Sequence, residues 1–309
     1  MRETGSSPVP STPSPMDGSI LRAEHISVTF PSPQGGLGAL DDVSFQVGQG
    51  EFVCLVGPSG CGKSTLLRVL SGLLSPTSGQ AYLRGKPFSG PCGDIGIVFQ
   101  KANLMPWRTV SQNITLPLKI QGLDAALARR RVADLIRLVG LEGFEQNHPR
   151  ELSGGMAQRV AIARALIHDP EILLLDEPFG SLDALTRERM NLELLRIWQV
   201  RRKTVVMVTH NIQEAIFLAD RVMVMTARPG QVTVDLPVTL PRPRSQDLIY
   251  CDAFTGLARC IREAIGRREV PSDREGYSTI ICVDKAGRMV YNGQLARLSQ
   301  AVHKGVKRR

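Results

Sequence analysis

The stretch Gly57-Pro58-Ser59-Gly60-Cys61-Gly62-Lys63-Ser64, preceded by Phe52-Val53-Cys54-Leu55-Val56 and followed by Thr65-Leu66-Leu67-Arg68-Val69-Leu70, decides how this chain folds. It fits the spacing Gly-x-x-x-x-Gly-Lys-Ser/Thr. The short apolar run before it reads as a strand buried on both faces, and the run from Lys63 to Leu70 reads as a helix. In the loop between them, glycines let backbone N–H groups point inward at a phosphate without obstruction from a Cβ. The helix start adds the positive end of its dipole. Lys63 would supply a compact charge to the outer phosphates, and Ser64 a hydroxyl to Mg²⁺. Cys61 fills a variable slot as a small residue; an exposed thiol there would make the site sensitive to thiol reagents.

Other elements extend outward from this centre. Ile26, Val28 and Phe30 alternate as in a strand, as do Val43, Phe45 and Val47, with Gly48-Gln49-Gly50 at a turn. Residues 95–99 suggest another strand. From about residue 103 to 165 the pattern is mostly helical, and Ala128, Val132, Leu135 and Val139 share one helical face. Ile172–Leu175 and Val205–Val208 are two more buried strands. The helical segment Ala184–Val200 lies between them, with Asp183 as its N-cap. Strand, crossover helix and strand imply a parallel sheet.

The strand Ile172–Leu175 delivers Asp176 and Glu177 at its carboxyl end, where ligands bind in open α/β sheets. Asp176 suits the Mg²⁺ shell, and Glu177 suits alignment and deprotonation of an attacking water. Gln100 and His210 each follow a strand as well. The place of His210 after Val208-Thr209 suits a polarising or sensing role at the terminal phosphate. Leu152-Ser153-Gly154-Gly155-Met156 opens a helical run over Ala157–Ile167. It reads either as an ordinary N-cap or as a second donor-rich anion site. One nucleotide needs one cradle, so two cradles predict a head-to-tail dimer in which the second serves the nucleotide of another copy.

As a set and in this order, these motifs resemble the ATP-binding subunits of ABC transporters. The set is the phosphate loop, Gln100, Leu152–Met156, Asp176-Glu177, Ser181-Leu182-Asp183 and His210, and the resemblance covers about residues 20–243. It implies an α/β fold: a P-loop NTPase with a RecA-like core, a small antiparallel β subdomain and a helical subdomain (about 103–160) holding Ser153-Gly154-Gly155. It implies two copies closing around two MgATP, with Phe30 stacking on adenine and the loop through Thr65 holding the phosphates. Ser64, Gln100 and Asp176 are then the metal residues, with Gln100 linking Mg²⁺ to a transmembrane partner. Glu177, His210 and Gln100 are the catalytic set, and Asp183 belongs to a loop crossing the dimer interface. Met156 stands where many members have Gln.

Within that family, Val98–Trp107, Asp176–Arg187, Glu214–Arg221, Ala227–Gly230 and Pro241–Arg244 are similar to the nitrate, sulfonate and taurine importer branch. The resemblance implies a separate permease and a solute-binding protein, and a peripheral place on the cytoplasmic face of the cell membrane. An exporter ATPase shares the fold and remains an alternative. A nucleic-acid-associated ABC ATPase is the other. Against it, about 50 residues separate Gln100 from Ser153, too few for a coiled-coil or zinc module, and the chain has one phosphate loop. No nucleic-acid partner is expected. Leu104-Met105-Pro106-Trp107 is either core or a pocket for a partner's helix.

Composition sets the outer bounds. The 309 residues are 42% apolar and 22% charged, a balance that excludes collagen-like and wholly disordered chains. No apolar run approaches the roughly 18 residues of a membrane span. The six cysteines form no CxxC pair and no zinc-finger spacing, so reduced thiols are expected. Residues 1–18 read as a flexible Pro- and Ser-rich leader without a signal peptide, and Met16 is an alternative start. Residues 19–245 form the ATPase domain, and 246–309 an extension with a helix at 247–268 and a hairpin at 278–292 turning at Lys285-Ala286-Gly287. The extension reads as either a regulatory flap or a passive appendage. Its end, residues 297–309, carries five of the basic residues and no acid, more than half of the net charge of +9. That tail is either simply solvated or a contact for an anionic surface.

Overall fold

A computed structural model describes residues 18–33, 35–266, 282–283 and 289–290. Its centre is a six-stranded sheet in the order β10-β9-β3-β8-β7-β6. The strands are β3 (Phe52–Val56), β6 (Ile95–Val98), β7 (Ile172–Asp176), β8 (Thr204–Thr209), β9 (Arg221–Met225) and β10 (Val232–Pro237). Every pair is parallel except the edge strand β10 on β9. A second sheet of four strands is antiparallel, in the order β2-β1-β4-β5. It contains β1 (Ser19–Phe30), β2 (Leu37–Gly48), β4 (Ser78–Leu83) and β5 (Lys86–Phe88).

The continuous apolar strands follow from burial on both faces. Along β3, Phe52, Cys54 and Val56 enter one core, and Val53 and Leu55 enter the other. The first core includes side chains of α2 (Val110–Ile120), α3 (Ala125–Leu138), α4 (Gly154–Leu166), α5 (Ala184–Arg201), α6 (Ile212–Leu218) and α7 (Asp252–Gly266). The second is built from α1 (Lys63–Leu70), β1 and β2. All five β3 residues are fully buried. At ~1.5–3 kcal/mol for each large apolar side chain, this strand is a main anchor of both layers.

The helices start where short polar side chains satisfy free N–H groups. Thr109 and Gln112 form a reciprocal capping box on α2, while Asp124 caps α3 and Asp183 caps α5. The face read from sequence on α3 is the buried one: Ala128, Val132 and Leu135, with Val139 at its C-cap. The expected helix at 247–268 differs at its start. A 3-10 turn covers Gln246–Tyr250, and α7 begins only at Asp252. Of the expected hairpin at 278–292, β11 (Cys282–Val283) pairs antiparallel with β12 (Met289–Val290). Its turn at 285–287, the leader through residue 17 and the basic tail lie outside the described residues.

Four strands and one helix escape the sequence reading. The strand β4 begins with Ser78-Gly79, and β5 has three residues, so neither shows a clean alternation. By contrast, the apolar run Val222–Met225 of β9 resembles that of β8 and was open to recognition.

Pro241-Arg242-Pro243-Arg244 acquires a physical role. The Arg244 guanidinium is buried and donates to the carbonyls of Ile216, Phe217 and Ala219 at 2.7–3.0 Å, and more weakly to Val238 and Leu240. Arg242 donates to Leu218 O at 2.7 Å, pairs with Asp220, and lies over the Trp198 ring at 4.3 Å. Together they satisfy the carbonyls at the C-terminal end of α6, which the helix itself leaves free, and set positive charge at its negative pole. Burial, then the neighbouring Arg242, lowers the Arg244 pKa to about 10, so it remains charged at neutral pH. Arg244→Ala is expected to cost about 3 kcal/mol, because buried carbonyls lose their donors. Urea unfolding measures this, and a loss below about 1 kcal/mol would contradict the role.

Candidate functional site

The parallel ladder sets Val56 beside Thr209 and Asp176 beside Val208. The segments following β3, β7 and β8 therefore leave the sheet at one edge. Phe30, Ser59, Gly60, Gly62, Lys63, Ser64, Thr65, Gln100 and Glu177 line a single cavity of about 320 Å³ there, with Leu37, Ala39 and Arg228. Gly57, Pro58 and Cys61, expected from sequence to join them, are not among its lining residues; the carbonyls of Gly57 and Pro58 accept from Lys63. Cys61 is 1% exposed, so the condition for a thiol-sensitive site is not met.

Lys63 is buried, and its ammonium donates to Gly57 O at 2.9 Å, to Pro58 O at 3.0 Å and to Cys61 Sγ at 3.8 Å. Gly62 has φ 101°, in the left-handed region, and a Cβ there would lie 2.6 Å from Ala39 O. The Ser64 hydroxyl donates to Asp176 Oδ1 at 2.8 Å. Burial raises the Asp176 pKa; the Ser64 hydrogen bond opposes this and the nearby Glu177 adds to it. A cation at this hydroxyl–carboxylate pair would reverse that shift. The oxygen-donor set, with the Gln100 amide in the same cavity, fits Mg²⁺, which takes one or two carboxylates and completes its shell with phosphate and water.

Glu177 follows β7 with φ 42°, a conformation in which a non-glycine residue is strained. It is held by its N–H to Val208 O at 2.9 Å and by Gly180 N–H to its own carbonyl at 3.1 Å. Its Oε2 lies 2.9 Å from Nδ1 of His210. Behind His210, the Thr209 hydroxyl accepts from Asn211 N–H and donates to Glu214. Burial raises the Glu214 pKa. Sequence reading missed Glu214; a lone carboxylate inside the otherwise apolar face of α6 was the available signal.

Ser153, Gly154 and Gly155 do not join this cavity. The Ser153 hydroxyl accepts from Met156 N–H at 3.3 Å, so α4 starts at Gly154, three residues earlier than the helical run read from sequence. Both readings of this segment survive geometrically: Ser153 is an N-cap, and Ser153 and Gly154 are exposed. Gly155 packs on α5, where a Cβ would lie 3.3 Å from Thr186 Cγ2. Asp183, the α5 cap, has its carboxyl held below the usual range by hydrogen bonds from Thr186. Leu104-Met105-Pro106-Trp107 divides: Leu104 packs on the core and Trp107 is 71% exposed. Buried Asn113 fixes the turn by bonding both polar groups of the Met105 backbone and the carbonyls of Arg108 and Thr109.

The turn between β9 and β10 supports the phosphate loop from behind, which the sequence did not reveal. Gly57 packs on Met225, and Gly230 donates to Ala39 O at 3.0 Å. A Cβ on Gly230 would lie 2.0 Å from Cys61 O.

Such a strand–loop–helix cradle with two carboxylates at the end of β7, on the far side of β8, defines a nucleotide-hydrolysing class. The chain belongs to the ABC transporter family as one of its ATP-binding proteins. The family pattern described as ABC transporter matches residues 40–180. The nitrate import ATP-binding protein of Synechococcus elongatus is 46% identical over 247 residues, 79% of this chain and 90% of that protein. The aliphatic sulfonates import ATP-binding protein of Bacillus licheniformis is 49% identical over 207 residues, 67% of this chain and 80% of that protein. A dimeric structure of an ATP-binding cassette in a post-hydrolysis state, bound to ADP and Pi, superposes with a TM-score of 0.63 at 33% identity. It covers 72% of this chain and all of that one. Family membership carries ATP binding and hydrolysis. Among the described residues, no helix is long and apolar enough to cross a membrane.

Gly230→Ala is expected to push the phosphate loop out of shape and weaken ATP binding roughly tenfold or more. Calorimetric titration checks this; an unchanged affinity would show that the turn does not support the loop.

Proposed function

We propose that this chain is the motor subunit of an importer for nitrate, aliphatic sulfonates or taurine, driving a separate transmembrane permease that receives its solute from a binding protein. The observation that carries the hydrolytic part is the convergence of Lys63, Ser64, Gln100 and Glu177 on one cavity, with Asp176 bonded to Ser64 and His210 to Glu177. Similarity to import subunits for nitrate and sulfonates supports the transport part. The absence of a membrane-crossing helix among the described residues fits a peripheral subunit at the cytoplasmic face.

In this mechanism, backbone N–H groups of the loop from Gly57 to Thr65 and the Lys63 ammonium bind the phosphate chain, and Phe30 stacks on adenine. Ser64, Asp176 and Gln100 would hold Mg²⁺, which supplies charge neutralisation on the phosphate oxygens. The Glu177 carboxylate orients a water and takes its proton as the water oxygen bonds to the γ-phosphorus and the bridging bond to ADP breaks. With the proton on Nδ1, His210 donates to Glu177 and fixes the carboxylate.

Two copies arranged head to tail would complete each site, with Ser153, Gly154 and Gly155 of one facing the terminal phosphate held by the other. The exposure of Ser153 and Gly154, and the separation of all three from their own cavity, support this reading.

Glu177→Gln is expected to retain ATP binding and lose about 10²–10⁴-fold in turnover; near-normal hydrolysis would remove Glu177 from the role of base. Lys63→Ala is expected to abolish productive nucleotide binding, measured by titration. In a Glu177→Gln background, which would trap an ATP-bound pair, Ser153→Arg is expected to keep the protein monomeric on size exclusion. A dimer formed with ATP would rule out the shared site. The solute is tested by growth of a deletion strain on nitrate, taurine or alkanesulfonates as sole nitrogen or sulfur source.

A further inference from the structure

The cavity contains a cation to which the sequence reading gave no role, although its segment Ala227–Gly230 was among those similar to the importer branch. Arg228 lies in the turn between β9 and β10, and its side chain lines the same space as Lys63, Ser64 and Phe30. Its Nε–H donates to Gly60 O at 3.1 Å, and one terminal nitrogen lies 3.5 Å from where a Gly60 Cβ would stand. Among the described residues, no carboxylate forms a salt bridge with it, and its other N–H groups have no hydrogen-bond partner. A guanidinium is an obligate multiple donor, and its planar fork matches phosphate oxygens.

The turn is built to hold the backbone that carries this side chain in place. The Thr226 hydroxyl donates to Pro229 O and accepts from Gln231 N–H. Gly230 bridges to Leu40 in β2, and Gln231 Nε2 bonds Asp41 at 2.7 Å. Gly230 also approaches the Cys61 carbonyl too closely for any side chain. The backbone carrying Arg228 is therefore fixed to both the phosphate loop and the small sheet, so little ordering is left to be done on binding.

We propose that Arg228 is a nucleotide-binding residue that donates to the phosphate chain. It rests on the reading of this cavity as the ATP site. The bond to Gly60 keeps the guanidinium against the loop whose N–H groups cradle phosphates, and this favours the phosphates over the base. Phosphate oxygens are anionic, and hydrogen bonds to charged groups are the stronger kind. Lys63 and Arg228 together would balance the charge of the phosphates beside Asp176 and Glu177.

The test is calorimetric titration of the full chain with ADP and with GDP, for the wild type and for Arg228→Lys, Arg228→Gln and Arg228→Glu. Nucleotide-free melting temperatures are recorded beside it, because Arg228 is exposed and its variants should fold like the wild type. The expected result is roughly tenfold weaker binding of both nucleotides by Arg228→Gln, with Lys between Arg and Gln and Glu weaker still. Raising salt should weaken the wild type more than Arg228→Gln. Unchanged affinity in the Gln and Glu variants would overturn the proposal. So would a loss confined to ADP, since that would place the contact on the base. Lys63→Ala separates the two levels: if it binds ADP like the wild type, the ATP-site reading itself fails, whatever Arg228 does.

Discussion

The parallel register of β3, β8 and β7 is the constraint on which the site depends. It puts the ends of three strands side by side, Val56 next to Thr209 and Val208 next to Asp176. Each strand then contributes a different chemical group at that edge: a loop of backbone donors, a carboxylate pair and an imidazole. A slip of one residue in either pairing would exchange side chains between the two cores and separate these groups. Two cores guard against it, because alternate residues of β3 and β8 are claimed by different layers.

Rigid supports stand behind each group. The phosphate loop rests on the β9–β10 turn, where Gly230 meets the Cys61 carbonyl. The residues either side of His210, Thr209 and Asn211, bond to Glu214 of α6, whose free carbonyls are taken up by Arg242 and Arg244. Glu177 occupies its strained backbone conformation between bonds to Val208 and Gly180. Strain of that kind persists only where neighbours over-determine it. The segment ending in Arg244 thus contributes to the catalytic edge without touching it, through the helix that follows His210.

The segment Ser153-Gly154-Gly155 follows a different logic. Ser153 and the two glycines after it sit at the start of α4 against α5, beside Leu182 and Thr186; Ser153 and Gly154 remain accessible, and Gly155 is buried. Nothing within one chain brings them to the cavity lined by Lys63. The same exposed side carries the loop through Asp183, whose carboxylate is already engaged in capping α5. Such an arrangement suits a surface completed by a second copy, and it ties closure of that surface to the helix following Glu177.

The sequence by itself determined the centre of the fold. Short uninterrupted apolar runs at 52–56, 172–175 and 205–208, bounded by turns or alternating with a helix, read as strands covered on both sides, and glycines at fixed offsets before a lysine mark the loop. It also pointed to Gln100 and Glu177, which line the cavity, and to His210, which bonds Glu177, because each follows a strand; Phe30 was singled out by the family resemblance. What only the tertiary structure decided comes from groups distant in sequence. Arg228 is adjacent to Gly60, Gly230 limits the space at Cys61, and Arg244 caps a helix that ended about 25 residues before it. The strands β4 and β5 belong here too, since their short mixed runs acquire a pattern only from the sheet that pairs them. Periodicity and loop chemistry are local, and so are written in consecutive residues. Close packing is decided by which distant surfaces meet, and a single sequence does not spell that out.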